Sequence, residues 1–182
     1  MSSVMTEAQW YAIQARSNFE NRMCKDLEVR GVESYCPAIR EVHQWADRKK
    51  IVDRPVFPGY VLARFPDLAE FRLRVLQSAG AVRILGKSGK IEPIPEVEID
   101  SIRKTLDSGR PCALHPFLKE GAQVRVRRGA LRNAEGILVR TKNDARLVVS
   151  ISLFSRSIAT EVDLRDIEVL RPAPMEHSSL YS

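Results

Sequence analysis

The sequence predicts an α+β protein in two parts, an antiparallel sheet with helices packed on it and then a small five-stranded β-barrel. Three observations carry this expectation. Strand-like alternation and helix-like spacing follow each other as β-α-β-β-α-β-α over roughly the first 107 residues. A stretch rich in Gly and Pro with no periodicity follows, DSGRPCALHP (107–116). Beyond Phe117 the pattern is all β, with about five short strands, which suits a closed or nearly closed barrel.

The first strand is WYAIQAR (10–16). Ser17-Asn18-Phe19-Glu20 then has the S-x-x-E form of a capping box, in which Ser17 and Glu20 would satisfy each other's backbone N–H. Phe19, Met23 and Leu27 make one apolar stripe on a helix that Gly31 ends. VESYCPAI (32–39) resumes strand character. REVHQWADRKKIVDR (40–54), with Trp45-Ala46-Asp47 leading into Arg48-Lys49-Lys50, is so charged that it reads as an exposed hairpin loop.

RPVFPGYVLARF (54–65) sets Phe57, Tyr60 and Phe65 around a Pro-Gly turn, with 60–65 as a strand. The cluster is either core packing around a kinked strand or a set of rings turned toward a partner. Alternation assigns Val61 and Phe65 to the packed face. Pro66-Asp67 opens a helix with Leu68, Phe71 and Val75 on its apolar side, stopped by Gly80. AVRIL (81–85) is a short strand, and GKSGK (86–90) lacks the spacing of a phosphate loop and reads as a hairpin turn. Pro93 and Pro95 precede a third helix bearing Ile99, Ile102 and Leu106.

In the second part AQVRVRR (122–128) alternates strictly, with Val124 and Val126 on one face and Arg125 and Arg127 on the other. Strands at 135–140, 146–154, 157–164 and 167–170 follow. The domain boundaries expected are 8–107, a linker at 108–116, a barrel at 117–171, and a disordered tail at 172–182.

The chain has 182 residues and a formal charge of +6, an excess of Lys and Arg that suits an anionic partner. Cys24, Cys36 and Cys112 are odd in number and lack a CxxC, so they read as reduced thiols of a cytoplasmic protein, with Cys24 a half-buried helix residue. No signal-peptide pattern or membrane-length apolar run is present. His43, His115 and His177 have no ligand-spaced companions, so no metal or other cofactor is expected. No nucleophile–base pattern appears either, and the reading is a binding protein, not an enzyme. Arg16, Arg22, Lys25 and Arg30 along the first helix, and Arg48, Lys49 and Lys50 in the charged loop, are candidate contacts to nucleic-acid backbone. Each also has an ordinary reading as solvated surface.

WYAIQARSNFENR, RPVFPGYVLARF, GAVRILG and IPEVEIDSIRK resemble, in that order, the N-terminal domain of NusG-type transcription elongation factors (the NGN fold). EGAQVRVRRGALRNAEGILVR and LVVSISLFSRSIATEVDL resemble the KOW module that follows it, an SH3-like barrel. The resemblance covers roughly 9–171 and implies a transcription elongation or antitermination factor. Such a factor docks on the β′ clamp helices of RNA polymerase, bridges toward β, suppresses pausing or termination, and meets nucleic acid in the elongation complex. It implies a polymerase-facing patch of Trp10, Tyr11, Phe57, Pro58, Gly59 and Tyr60, with Phe57 and Tyr60 exposed. It also implies a KOW contact through Leu153, Phe154 and Arg156 to a partner such as ribosomal protein S10 or Rho.

A monomer is expected, and the charged stretch 40–54 points to a specialised paralogue of the UpxY or RfaH kind. Ser155 stands where the family has Gly, and Asp26 where RfaH has a DNA-contacting His. Gly121, Gly129 and Gly136 fit turn positions. Refolding of the barrel segment into helices is disfavoured by the alternation of 122–128 and the β-branched run in 147–162. The competing reading is an RNA- or ribosome-binding KOW protein using Arg125, Arg127, Arg128, Arg132 and Arg140.

Overall fold

The structure, a computed structural model, describes residues 7–44, 48–118, 121–141 and 143–174. Trp45, Ala46 and Asp47, together with His177 and the tail from residue 175, lie outside the described residues. The chain forms two compact units, one of residues up to 99 with 151–154, the other of 100–150 with the residues from 155 onward.

The first unit is built on a four-stranded antiparallel sheet. Its strands are β1 (Ala8–Ala15), β2 (Glu33–Tyr35), β5 (Tyr60–Pro66) and β6 (Ala81–Ile84), in the order β2-β5-β1-β6. β3 (Ala38–Gln44) and β4 (Lys49–Pro55) form a separate two-stranded ribbon. β7 (Gly86–Lys87) and β8 (Lys90–Ile91) close the hairpin turn expected at 86–90.

Helices α1 (Glu20–Val29) and α2 (Ala69–Leu76) cover one face of the sheet. Period-2 alternation sends Tyr11, Ile13, Ala15, Val61, Ala63 and Phe65 to that face, where they pack with Met23 and Leu27 of α1 and Val75 of α2. The assignment of Val61 and Phe65 to the core therefore holds. Trp10, Ala12 and Leu62 point to the opposite face and are buried as well.

Several local expectations are corrected. No side chain caps α1: Phe19 is its N-cap, Asn18 takes a positive φ of 64°, and the Ser17–Glu20 capping box does not form. Gly31, with φ of 74°, does follow the helix end. Leu68 is the extended N-cap of α2, not part of its buried stripe, and is exposed. VESYCPAI does not make one strand, because Pro37 separates β2 from β3.

Residues 40–44 and 49–54 of the charged stretch are not a loop but the two strands of a ribbon, in register from Ala38↔Pro55 to Gln44↔Lys49. Opposite charges face each other across it: Arg40 pairs with Asp53 at 3.7 Å and Arg54 with Glu41 at 3.3 Å. Such cross-strand pairs let a strongly charged sequence adopt strands.

The helix α3 (Glu96–Asp107) begins in the first unit and continues into the second, with Ile99 and Ile102 fully buried. The second unit holds a six-stranded antiparallel sheet ordered β14-β10-β11-β12-β13-β9. Its strands are β9 (Cys112–His115), β10 (Ala122–Val126), β11 (Glu135–Arg140), β12 (Ala145–Ile151), β13 (Arg156–Glu161) and β14 (Ile167–Arg171).

All five strands expected after residue 117 are present, and Val124 and Val126 are buried while Arg127 is exposed. β9 is an addition: residues 112–115, read as linker, pair with β13 from His115↔Ser157 to Cys112↔Thr160. Gly136 is not a turn glycine. It lies within β11, where a Cβ would fall 2.3 Å from the Val148 carbonyl oxygen, so close backbone approach is what demands Gly there.

Candidate functional site

The site is centred on the Phe57-Pro58-Gly59-Tyr60 turn that feeds β5. Gly59 has φ of 83°, a conformation cheap only for glycine, and the Tyr60 N–H closes the turn on the Phe57 carbonyl at 3.0 Å. Two contacts from distant sequence hold it. The Ala15 N–H donates to the Gly59 carbonyl at 2.8 Å, and the Gly59 N–H donates to the Glu20 carboxylate at 2.8 Å. Glu20 is itself buried. A backbone N–H donated to a carboxylate oxygen is among the stronger hydrogen bonds of its kind, so Glu20 positions the turn.

Residues 151–154 pack as part of this same unit. Ser152–Phe154 is a single 3₁₀ turn whose start is held by Glu98. The Ser152 N–H donates to Glu98 Oε2 at 3.1 Å and its hydroxyl to Oε1 at 2.8 Å. Burial raises the Glu98 carboxyl above the ordinary range, and the two Ser152 hydrogen bonds oppose that shift. The Phe154 ring stacks on Tyr60, with centroids 4.6 Å apart and planes 9° from parallel. It also meets Phe57 edge-on at 5.1 Å. Ser155, which follows, takes a left-handed φ of 53°. The structure thus brings Phe57, Tyr60 and Phe154 into one aromatic cluster, although the sequence reading gave them to two separate surfaces.

The expected exposed patch is redrawn. Trp10, Tyr11 and Phe57 retain only 2 %, 1 % and 1 % of their accessible surface. Trp10 and Tyr11 are adjacent in β1, so strand alternation sends them to opposite faces and they cannot share one patch. Tyr11 belongs to the helix-side core, its ring 4.7 Å from that of Phe65. Of the six residues, Pro58 is exposed and Gly59 and Tyr60 are half-buried.

The basic candidates also separate. Arg16, Arg22 and Lys25 are exposed, as are Arg48, Lys49 and Lys50 at the ribbon. Arg30 is half-buried and tied to Asp26, Nε to Oδ2 at 3.1 Å, so it does not join them as a free cation. Asp26 also accepts from the Ala79 N–H at 2.8 Å, a bond that, with Arg30, holds its carboxyl below the usual range. Leu153 is half-buried and Arg156 exposed. Glu20 and Glu98 are the residues that sequence reasoning missed as parts of the site. Their partners lie 39 and 54 positions away, beyond the reach of any local pattern.

Among the described residues no group of His, Cys, Asp and Glu is placed to hold a metal ion, and no helix is long and apolar enough to cross a membrane.

An α+β unit with this braced turn, followed in the chain by a small antiparallel β-unit, defines a class on which comparison with known proteins agrees. The model of the family described as transcription termination factor nusG matches residues 8–103. The chain is 30 % identical over 183 residues to the transcription termination/antitermination protein NusG of Yersinia pestis, covering 90 % of this chain and 99 % of that one. It is 28 % identical over 184 residues to the NusG of Staphylococcus aureus strain Mu50, covering 93 % and 100 %. A solved structure titled "Domain interaction in Thermotoga maritima NusG" is similar at 17 % identity and a TM-score of 0.46, over 91 % of this chain and 98 % of that one. The chain belongs to the NusG family.

Proposed function

We propose that this chain is a transcription elongation and antitermination factor that binds RNA polymerase through the turn at residues 57–60. The single observation that carries the reading is that turn: Pro58 is exposed, Tyr60 is half-buried, and Glu20 and β1 fix the backbone from beneath. A turn pre-organised in this way presents a ring at little entropic cost to a partner. The family supports the role, since its factors act in transcription termination and antitermination. The N-terminal domain, 8–107, would sit on the β′ clamp helices and reach toward β. Arg16, Arg22, Lys25, Arg48, Lys49 and Lys50 would contact nucleic-acid backbone in the elongation complex. The KOW segment, 117–171, would recruit a further partner through Leu153, Phe154 and Arg156, with ribosomal protein S10 and Rho the candidates. Because Phe154 stacks on Tyr60, either ring is free for an outside partner only when that stack opens.

Tyr60 is the residue to test. Phe57→Ala would remove a fully buried ring and cost about 3–5 kcal/mol of stability, confounding the result. Tyr60→Ala is expected to stay folded and to weaken binding of the full chain to RNA polymerase by about 1–3 kcal/mol, measured by titration. Unchanged affinity would remove Tyr60 from the docking surface.

A second reading, an RNA- or ribosome-binding protein, is favoured by the exposed Arg127, Arg128, Arg132 and Arg140 of the second unit. It requires the full chain to bind structured RNA without polymerase, with an affinity that falls steeply as salt rises.

A further inference from the structure

The first unit also carries a recess of about 320 Å³, where the start of β1 runs beside the segment leading into α3, lined by residues 7–10 and 93–96. Ile94 holds the two segments together, its N–H donating to the Trp10 carbonyl at 2.7 Å. The walls are apolar and stiff. Trp10 and Ile94 are buried, and Pro93 and Pro95 have a fixed φ and no N–H to offer.

Its charges are of one sign. Among the described residues that line the recess, the charged ones are Glu7 and Glu96, both exposed, and no Lys or Arg joins them. Arg64 reaches Glu96 at 3.6 Å, but its guanidinium is shared with Glu33 at 3.9 Å and with the Ala8 carbonyl at 3.4 Å. One cation thus stands against three carboxylates, on a chain whose formal charge is +6. Glu96 lies in the first turn of α3, where its full charge outweighs the partial positive charge of the helix end.

We propose that this recess is a docking site for an arginine side chain of a partner protein. Apolar walls with carboxylates at the mouth match a side chain that has an aliphatic stem and a charged head. The guanidinium carries five N–H donors in a planar fork, which suits carboxylates supplied by two segments, Glu7 ahead of β1 and Glu96 in α3. It is also more weakly hydrated than an ammonium, so it gives up less on entering a recess walled by proline and tryptophan. Nucleic acid is the wrong partner here, because its phosphates meet the same carboxylates with like charge. The recess therefore adds a protein contact to those already proposed, and it does not depend on the turn at 57–60.

The test titrates the isotope-labelled full chain with acetyl-Gly-Arg-Gly-amide and follows its NMR spectrum. The control is the citrulline peptide, which keeps the shape of arginine and removes its charge. The arginine peptide should shift the Trp10 indole signal and the backbone amides of Ala8, Gln9, Ile94 and Glu96, saturating in the millimolar range. The matching lysine peptide should bind more weakly and the citrulline peptide not at all, and added salt should weaken binding. Tyr60→Ala should leave the titration unchanged. The E7Q/E96Q double variant, altered at two exposed positions, should keep the rest of its spectrum and bind about tenfold more weakly. The proposal is overturned if the arginine peptide gives no saturable shift at these residues, if the citrulline or lysine peptide binds as well, or if the double variant binds like the native chain. Arginine against citrulline on the native chain decides the matter, whatever the folding of the variant.

Discussion

Glu20 ties the turn of the candidate site to the first helix. Its buried carboxylate accepts the Gly59 N–H, a backbone donor that would otherwise go unpaired beneath the turn. Glu20→Ala should leave that donor unsatisfied and cost about 1–3 kcal/mol. Chemical denaturation would show the loss as a lower midpoint at unchanged slope, and an unaltered midpoint would deny Glu20 this role. The sequence disguised the residue. Ser17 and Glu20 have the spacing of a capping box, but Asn18 turns left-handed and Glu20 reaches across to β5. A local pattern and a long-range bond competed for one carboxylate, and the Gly59 N–H won. The pairing of Trp10 with Tyr11 failed for a simpler reason, since adjacent strand residues face opposite ways.

At the scale of elements, the Ser152–Phe154 turn depends on one carboxyl. Burial raises Glu98, so the folded chain holds its proton to higher pH than the unfolded chain does. The sign follows from linkage. Whatever stability this group contributes is fully present below the ordinary glutamate value and is lost as pH rises through the raised folded value. Glu98→Gln should therefore flatten the stability profile across that weakly acidic window. Thermal unfolding at a series of pH values would check it, and identical profiles for the two proteins would contradict it.

Most elements were legible from periodicity. The stripe of Met23 and Leu27, the alternation of Val61 to Phe65 and the valines of β10 all fold as their spacing dictates. The ribbon and β9 were not, because their strand character comes from partners. Arg40 and Arg54 find Asp53 and Glu41 across the ribbon, while Cys112–His115, bracketed by prolines, becomes a strand only by pairing with β13. Edge strands of this kind tolerate the flanking prolines that argued for a linker.

For the whole molecule, the chain forms two units and belongs to the NusG family, and the family was readable from the FPGY turn and the all-β pattern that follows it. The distribution of aromatic residues was not. Phe154 lies far in sequence from Phe57 and Tyr60, and only the structure brings the three rings into one cluster. The central claim is that this chain alters elongation by docking on RNA polymerase. A pausing assay in vitro, with RNA polymerase halted at a defined pause and released with and without the full-length protein, tests it most directly. The account predicts a shorter pause lifetime or greater readthrough with the native chain and a weakened effect with Tyr60→Ala; a pause lifetime and readthrough that do not change when the native chain is added would contradict it.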